Sequence, residues 1–323
     1  MCISEGKMDW RSWLRKKFQV RSQLLRGCMA EFLAVFVLMV FTEGCSASAI
    51  FTHRRNDLLF AAFGSGLAVT MAVYVAGGVT GAFLNPAIAV AFSVLGKLPW
   101  KNCFCYMIAQ YLGAFLASLA IYAQYYDALN IFDGGHRQVL GDNGTAQIWS
   151  TYPQAFLSPQ GAFVDQVFGT ALLIIVVLSM VDKKNWKPQN GYFPIAIGLL
   201  IVVLDISLAY NAGAALNPSR DLAPRLFTYV AGYGTETFSV KGYTWFFVPV
   251  VGSHAGAIVG AVIYQLFIGA QWPQDDLDDS NSVSSMSIHE KNFSLAKRKN
   301  TRNFNLDITR DFKERNGIST VLY

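Results

Sequence analysis

A short block of sequence occurs twice, and the way it recurs limits what the chain can fold into. Gly81-Ala82-Phe83-Leu84-Asn85-Pro86-Ala87 returns 132 residues later as Gly213-Ala214-Ala215-Leu216-Asn217-Pro218-Ser219, identical at five of seven positions. Long apolar runs surround both copies. A transmembrane helix needs about 20 mostly apolar residues. Six runs qualify, at roughly 28–48, 58–77, 102–124, 161–181, 191–210 and 243–268. The repeat extends beyond the block: Glu31 matches Asp165 at an offset of 134, and Gly113-Ala114 matches Gly256-Ala257 at an offset of 143. The second half therefore carries about 11 extra residues between its Asn-Pro motif and its last span. Each half holds three spans. An odd number of crossings forces the two copies into opposite orientations, so the repeat is inverted.

Asn-Pro has a local meaning. Proline in the first turn of a helix sacrifices no hydrogen bond, and asparagine just before it is a strong N-cap. Each block is thus expected to start a short helix, over 86–95 and 218–227, too short to span. Two inverted half-helices dip in from opposite faces and meet N-terminus to N-terminus near the midplane. Irregular backbone at that depth is tolerated only where it is buried or lines a watery cavity. The meeting point offers asparagine donors and the positive ends of two helix dipoles, which suits neutral polar molecules and repels cations and protons.

Composition agrees with a membrane chain. Of 323 residues, 53% are hydrophobic and only 15% charged, against about 25% in soluble domains. That excludes a disordered chain and argues against a cytosolic enzyme. Five cysteines without a C-x-x-C pair make no disulfide scaffold. Cys28, Cys103 and Cys105 have no metal-ligand constellation around them. The histidines, at 53, 136, 254 and 289, lie in different segments and suggest no catalytic cluster. The net charge of +5 sits in short basic clusters beside apolar runs, which argues against a nucleic-acid surface.

Those clusters orient the chain. With both termini inside, the inner side holds 20 of the 26 Lys and Arg residues, so both termini are expected to be cytoplasmic. Residues 1–27 form a basic N-terminal segment. Within it, 8–27 reads either as a basic amphipathic helix on the inner leaflet or as a solvated positive flank. The channel-like part covers 28–270, as repeats 28–125 and 161–270 joined by an extracellular loop, 126–160. That loop carries Asn143-Gly144-Thr145, a glycosylation acceptor on the correct side. The tail, 271–323, has the composition of a disordered segment. Ser294 and Thr301 are candidates for a kinase, and Val321-Leu322-Tyr323 for a PDZ-type contact.

At the two Asn-Pro blocks the sequence resembles the aquaporin family, and more narrowly its aquaglyceroporin branch, over roughly 25–270. The family's two signature boxes match Asn85-Pro86-Ala87 and Asn217-Pro218-Ser219, with Ser219 a mild departure. The filter arginine, three residues after the second Asn, falls on Arg220. The branch's acid falls on Asp221, its basic residue on Arg225, and its proline in the last helix on Pro249. Glu31 and Asp165 match the buried acids that brace the half-helix loops. The resemblance implies an all-α membrane protein in the lipid bilayer: six transmembrane helices plus two half-helices in an inverted 3+3 repeat, a right-handed bundle. It implies a homotetramer with one pore per subunit and a passive pathway for glycerol, water and other small neutral solutes. The expected site is the plasma membrane, with no cofactor or metal and no enzyme activity.

The chain departs from its relatives at the narrowest ring. Placed by spacing from the boxes, three of its positions are Ser65, Asp205 and Ala214, and the fourth is Arg220. Glycerol channels of the family usually carry an aromatic, a glycine and an aromatic or apolar residue at the first three. The expected filter is wider and more polar. A carboxylate inside a span is costly and functional by default. Asp205 is expected to face the pore and pair with Arg220, admitting solutes such as urea or weak acids; the alternative turns it toward a neighbouring helix. A second reading makes the chain a gated or proton-coupled transporter using Asp205. Phe83 stands where the family often has histidine. Gly252, Gly256 and Gly260 fit close helix packing within one subunit.

Overall fold

The computed structural model describes residues 9–273. In chain order the helices are α1 (Trp10–Phe18), α2 (Gln23–Phe51), α3 (Leu58–Ala76), α4 (Pro86–Val94), α5 (Trp100–Gln124), α6 (Tyr126–Asp133), α7 (Pro159–Val181), α8 (Phe193–Ala212), α9 (Pro218–Thr228), α10 (Glu236–Ser239) and α11 (Val248–Phe267). No strand occurs among the described residues. Helices α2, α3, α5, α7, α8 and α11 are long and apolar enough to cross a membrane. Ser294, Thr301 and the 321–323 terminus lie outside the described residues, as does nearly all of the 271–323 tail.

Local chemistry sets the helix ends. Helix α2 begins at Gln23, earlier than its apolar run, because the Ser22 hydroxyl caps the Leu25 N–H at 3.3 Å. Asp57 caps α3 through the Phe60 N–H at 2.9 Å. That bond, helped by Arg54, holds the Asp57 carboxyl below its ordinary value. Helix α11 starts at Val248, later than the apolar run suggests. Lys241, Gly242 and Tyr243 hold positive φ angles that break any earlier helix, and Pro249 fits the first turn.

The two halves pack by one scheme. Helix α2 packs on α3 and α5, and its counterpart α7 packs on α8 and α11. Half-helix α4 contacts α5 and α11, and α9 contacts α11 and α5. Across the centre α3 meets α8 through reciprocal glycines, Gly66 and Gly198, 132 residues apart. A Cβ on either would stand 2.6 Å from the other's carbonyl oxygen. A Cβ on Gly113 would stand 2.5 Å from the Phe32 carbonyl, and one on Gly256 would stand 2.3 Å from that of Val167. Gly252 and Gly260 face Gln166 and Ala171 of α7, so the glycine row of α11 packs within the subunit.

Candidate functional site

The half-helices α4 and α9 are 9 and 11 residues long. At 1.5 Å per residue each covers about half the bilayer's hydrocarbon core. Asn85 caps α4, its Oδ1 accepting from the Ala87 N–H at 2.8 Å. Asn217 caps α9, accepting from the N–H groups of Ser219 at 3.0 Å and Arg220 at 3.3 Å. The Ser219 hydroxyl adds a further bond to Asn217 Oδ1 at 2.9 Å, a donor that alanine lacks.

Because both amide oxygens are taken, both amide NH2 groups point the other way. Asn85 Nδ2 donates to the Leu216 carbonyl at 2.8 Å, and Asn217 Nδ2 donates to the Leu84 carbonyl at 2.9 Å. The crossed pair ties the two helix starts together. Each amide NH2 carries two hydrogens, so each keeps one beyond the crossed bond. Both asparagines line one cavity.

The loops that enter these helices are strained in the same way. Ala82 and Leu84 have φ of 60° and 57°, and Ala214 and Leu216 have φ of 45° and 46°. A non-glycine residue held in the left-handed region costs on the order of 1–3 kcal/mol. Partners hold the first loop. Glu31, fully buried, accepts from the N–H groups of Phe83 at 3.0 Å and Leu84 at 2.8 Å, the Thr80 hydroxyl at 2.5 Å and the Gln110 amide at 2.9 Å. Across the repeat the matching brace is Gln166, not Asp165. Gln166 Oε1 accepts from the Leu216 N–H at 3.2 Å. Asp165 makes no hydrogen bond to the loop itself; it accepts from Asn211 Nδ2 at 2.9 Å and orients Gln166 through its Nε2 at 3.0 Å. Four donors converge on Glu31 and require a carboxylate. A single loop N–H meets Gln166, and an amide oxygen suffices.

The cavity encloses about 230 Å3. Its wall is built from helical stripes: Leu38 and Thr42 on α2; Ser65, Val69 and Val73 on α3; Leu173, Val177 and Val181 on α7; Ile197, Ile201 and Asp205 on α8. Against these mostly aliphatic stripes stand the loops 80–85 and 213–217 with Arg220. A molecule inside has carbon on one side and hydrogen-bonding groups on the other. Phe83 also lines the cavity and packs edge-on against Phe92, with ring centroids 5.4 Å apart.

The four expected filter residues, Ser65, Asp205, Ala214 and Arg220, all line this cavity. Asp205 continues the pore-facing i, i+4 row of Ile197 and Ile201, whereas Ile206 faces outward. The expected direct ion pair is not formed. Asp205 Oδ2 accepts the Ser65 hydroxyl from the facing helix, and Asp205 and Arg220 interact electrostatically without contact. Arg220 Nη1 instead donates to the Trp149 carbonyl at 3.3 Å.

Behind the arginine, Asp221 and Arg225 form a fully buried ion pair at 2.8 Å. Arg225 also donates to the carbonyls of Thr151 at 2.6 Å and Thr237 at 2.9 Å. Asp221 Oδ2 accepts the N–H of Thr151 at 2.9 Å and its hydroxyl at 2.5 Å. Burial pushes the Tyr152 phenol, which lies under Arg225, up to about 12. The pair clamps α9 to the Ser150–Thr151 segment and so fixes the neighbouring Trp149 carbonyl that holds Arg220. Neither residue lines the cavity. Pro249 is buried in the first turn of α11 and also stays outside it. Asn143 is exposed, while the sequon's Thr145 is buried with its hydroxyl 2.7 Å from that of Tyr233.

Glu43 escaped sequence reasoning. It is fully buried on α2, accepts the Ser118 hydroxyl at 2.6 Å, and interacts electrostatically with Arg220. Its neighbour Thr42 lines the cavity. An acid inside an apolar run was the available signal.

Comparison with known proteins agrees with this architecture. The chain matches the Major intrinsic protein family over residues 19–264. It is 69% identical over 315 residues to Aquaporin-8 of Milnesium tardigradum, covering 98% of this chain and 91% of that one. It is 46% identical over 268 residues to human Aquaporin-10, covering 83% and 89%. Among solved structures it is similar to the aquaglyceroporin from Plasmodium falciparum, with a TM-score of 0.69 and 32% identity, covering 76% of this chain and 97% of that one.

The fold and these relatives define a multi-pass membrane channel for water and small solutes, of a family whose members are channels and not enzymes. The chain belongs to the aquaporin family of major intrinsic proteins, in its aquaglyceroporin branch. Members of the family are generally tetrameric.

Proposed function

We propose that the chain is a passive channel for glycerol, water and other small neutral solutes, with urea and weak acids among them. Asn85 and Asn217, with Pro86, Pro218, Ala87 and Ser219, form its central constriction. Arg220, Ser65, Asp205 and Ala214 form its selectivity filter. The observation that carries this reading is the crossed asparagine pair inside a cavity with one aliphatic wall. Donors fixed at the midpoint turn the oxygen of each passing molecule toward them. That breaks a continuous proton wire, and the two helix N-termini disfavour cations. The aliphatic stripes accept the carbon backbone of a polyol.

Asp205 adds an acceptor where Arg220 supplies donors, so the filter hydrogen-bonds a solute from both sides. The protein functions as a homotetramer in the plasma membrane, with both termini cytoplasmic. Asn143 is its glycosylation site, and the tail is the place for kinase or PDZ-type contacts. Uptake by proteoliposomes tests the passive reading against coupled transport through Asp205. The passive reading expects glycerol to equilibrate and stop, with or without a pH gradient. Accumulation driven by a proton gradient would establish the coupled transporter.

A further inference from the structure

Helix α1, Trp10-Arg11-Ser12-Trp13-Leu14-Arg15-Lys16-Lys17-Phe18, buries none of its residues against the bundle. Trp10, Trp13 and Phe18 are 64%, 47% and 60% exposed, an expensive display for two tryptophans and a phenylalanine in water. At 100° per residue Trp10, Trp13, Leu14 and Phe18 share one arc, while Arg11, Ser12, Arg15 and Lys16 occupy the rest. Lys17 falls inside the apolar arc, but its amine lies 5.0 Å from the Trp13 ring and 5.7 Å from that of Phe18. Such a lysine lays its stem along the apolar surface and keeps its amine in water.

The helix carries no acidic residue. Only four residues separate it from α2, so it stands at the level where the chain enters the bilayer. We propose that α1 lies in the plane of the cytoplasmic leaflet and binds anionic phospholipid headgroups. Arg11, Arg15 and Lys16 meet the headgroups, and Trp10, Trp13, Leu14 and Phe18 insert beneath them. The occupant follows from charge and chemistry. An all-basic face seeks anions, tryptophan favours the membrane interface, and the cytoplasmic leaflet is the anionic one. The assignment rests on the cytoplasmic placement of the N-terminus. It does not depend on which solutes the pore conducts.

The test uses the full chain in nanodiscs of phosphatidylcholine alone or mixed with phosphatidylserine. Trypsin cleavage after Arg11, Arg15, Lys16 and Lys17 is followed by mass spectrometry, with cleavage in the 183–187 loop as internal reference. Each basic residue at an anionic surface contributes about fivefold in binding. Phosphatidylserine is therefore expected to slow α1 cleavage by roughly tenfold or more relative to the reference, and high salt to restore it. The variant W10S/W13S keeps the basic residues but loses the inserted face, so in phosphatidylserine discs it should be cleaved several-fold faster than the native chain. Equal cleavage of the native chain in both lipids would overturn the proposal. Undiminished protection of W10S/W13S would also overturn it, since the aromatic face would then not be inserted.

Discussion

At the scale of single residues, the proposed filter rests on a few side chains. Asp205 is held by Ser65 and sits in the field of Arg220, which makes it an acceptor in the proposed filter. Asp205→Gly is expected to shift the ratio of urea to glycerol permeability severalfold while water flux persists. Stopped-flow light scattering on the correctly inserted variant measures it, and unchanged ratios would remove Asp205 from the filter. The two loop braces make a second prediction. Gln166→Leu leaves the Leu216 N–H unpaired, a loss of about 1–3 kcal/mol. Glu31→Gln keeps one acceptor oxygen where four donors converge, and it should cost at least as much. Thermal unfolding in detergent compares them. At this scale the sequence was partly readable. Asn85, Asn217 and Arg220 stand out because the repeat and their spacing single them out. The second brace was misplaced by one residue because Asp165 is an acid and Gln166 is not. Only the number of donors meeting each brace, invisible in one sequence, explains why an amide serves there. Glu43 passed unnoticed because neither the repeat nor the spacing from the two Asn-Pro blocks points to it.

At the scale of elements, close glycine contacts pack the helices, and one buried clamp ties α9 to the connecting loop. Between α3 and α8 a side chain at position 198 would meet Thr70 Oγ1 at 1.9 Å and the Gly66 carbonyl at 2.6 Å. Gly198→Leu must therefore separate the two central helices, and overpacking of that kind typically costs 1–3 kcal/mol or about that order. Lower yield of folded protein and reduced thermal stability are expected, read by unfolding in detergent. Asp221→Asn breaks the buried pair with Arg225. Breaking such a pair by removing one charge costs about 3–5 kcal/mol, and it frees the segment that holds Arg220. The expectation is lost thermal stability together with lost solute discrimination. Native stability in this variant would show that the clamp is dispensable. Element starts were readable where the cap is local, as at Asn85 and Asn217. The break between α1 and α2 and the short helix α6 were not, because neither carries an apolar run long enough to register.

At the scale of the whole molecule, the inverted repeat explains why the pathway lies at its centre. Two half-helices of opposite direction bring like helix ends together. No single copy of the repeat creates that meeting point. The topology was legible because each half holds an odd number of spans. What the sequence left open was which pore-facing groups touch one another, since contact across α3 and α8 depends on their crossing and not on spacing along the chain. The central claim is that the cavity is a passive path for polyols as well as water. Cells or vesicles containing the protein should swell in isosmotic glycerol as well as respond to a water-only osmotic step. Ala214→Trp, placed in the filter, should abolish the glycerol response. Glycerol swelling that Ala214→Trp blocks is the predicted result. A water response with no glycerol entry, in protein confirmed at the membrane, would contradict the account.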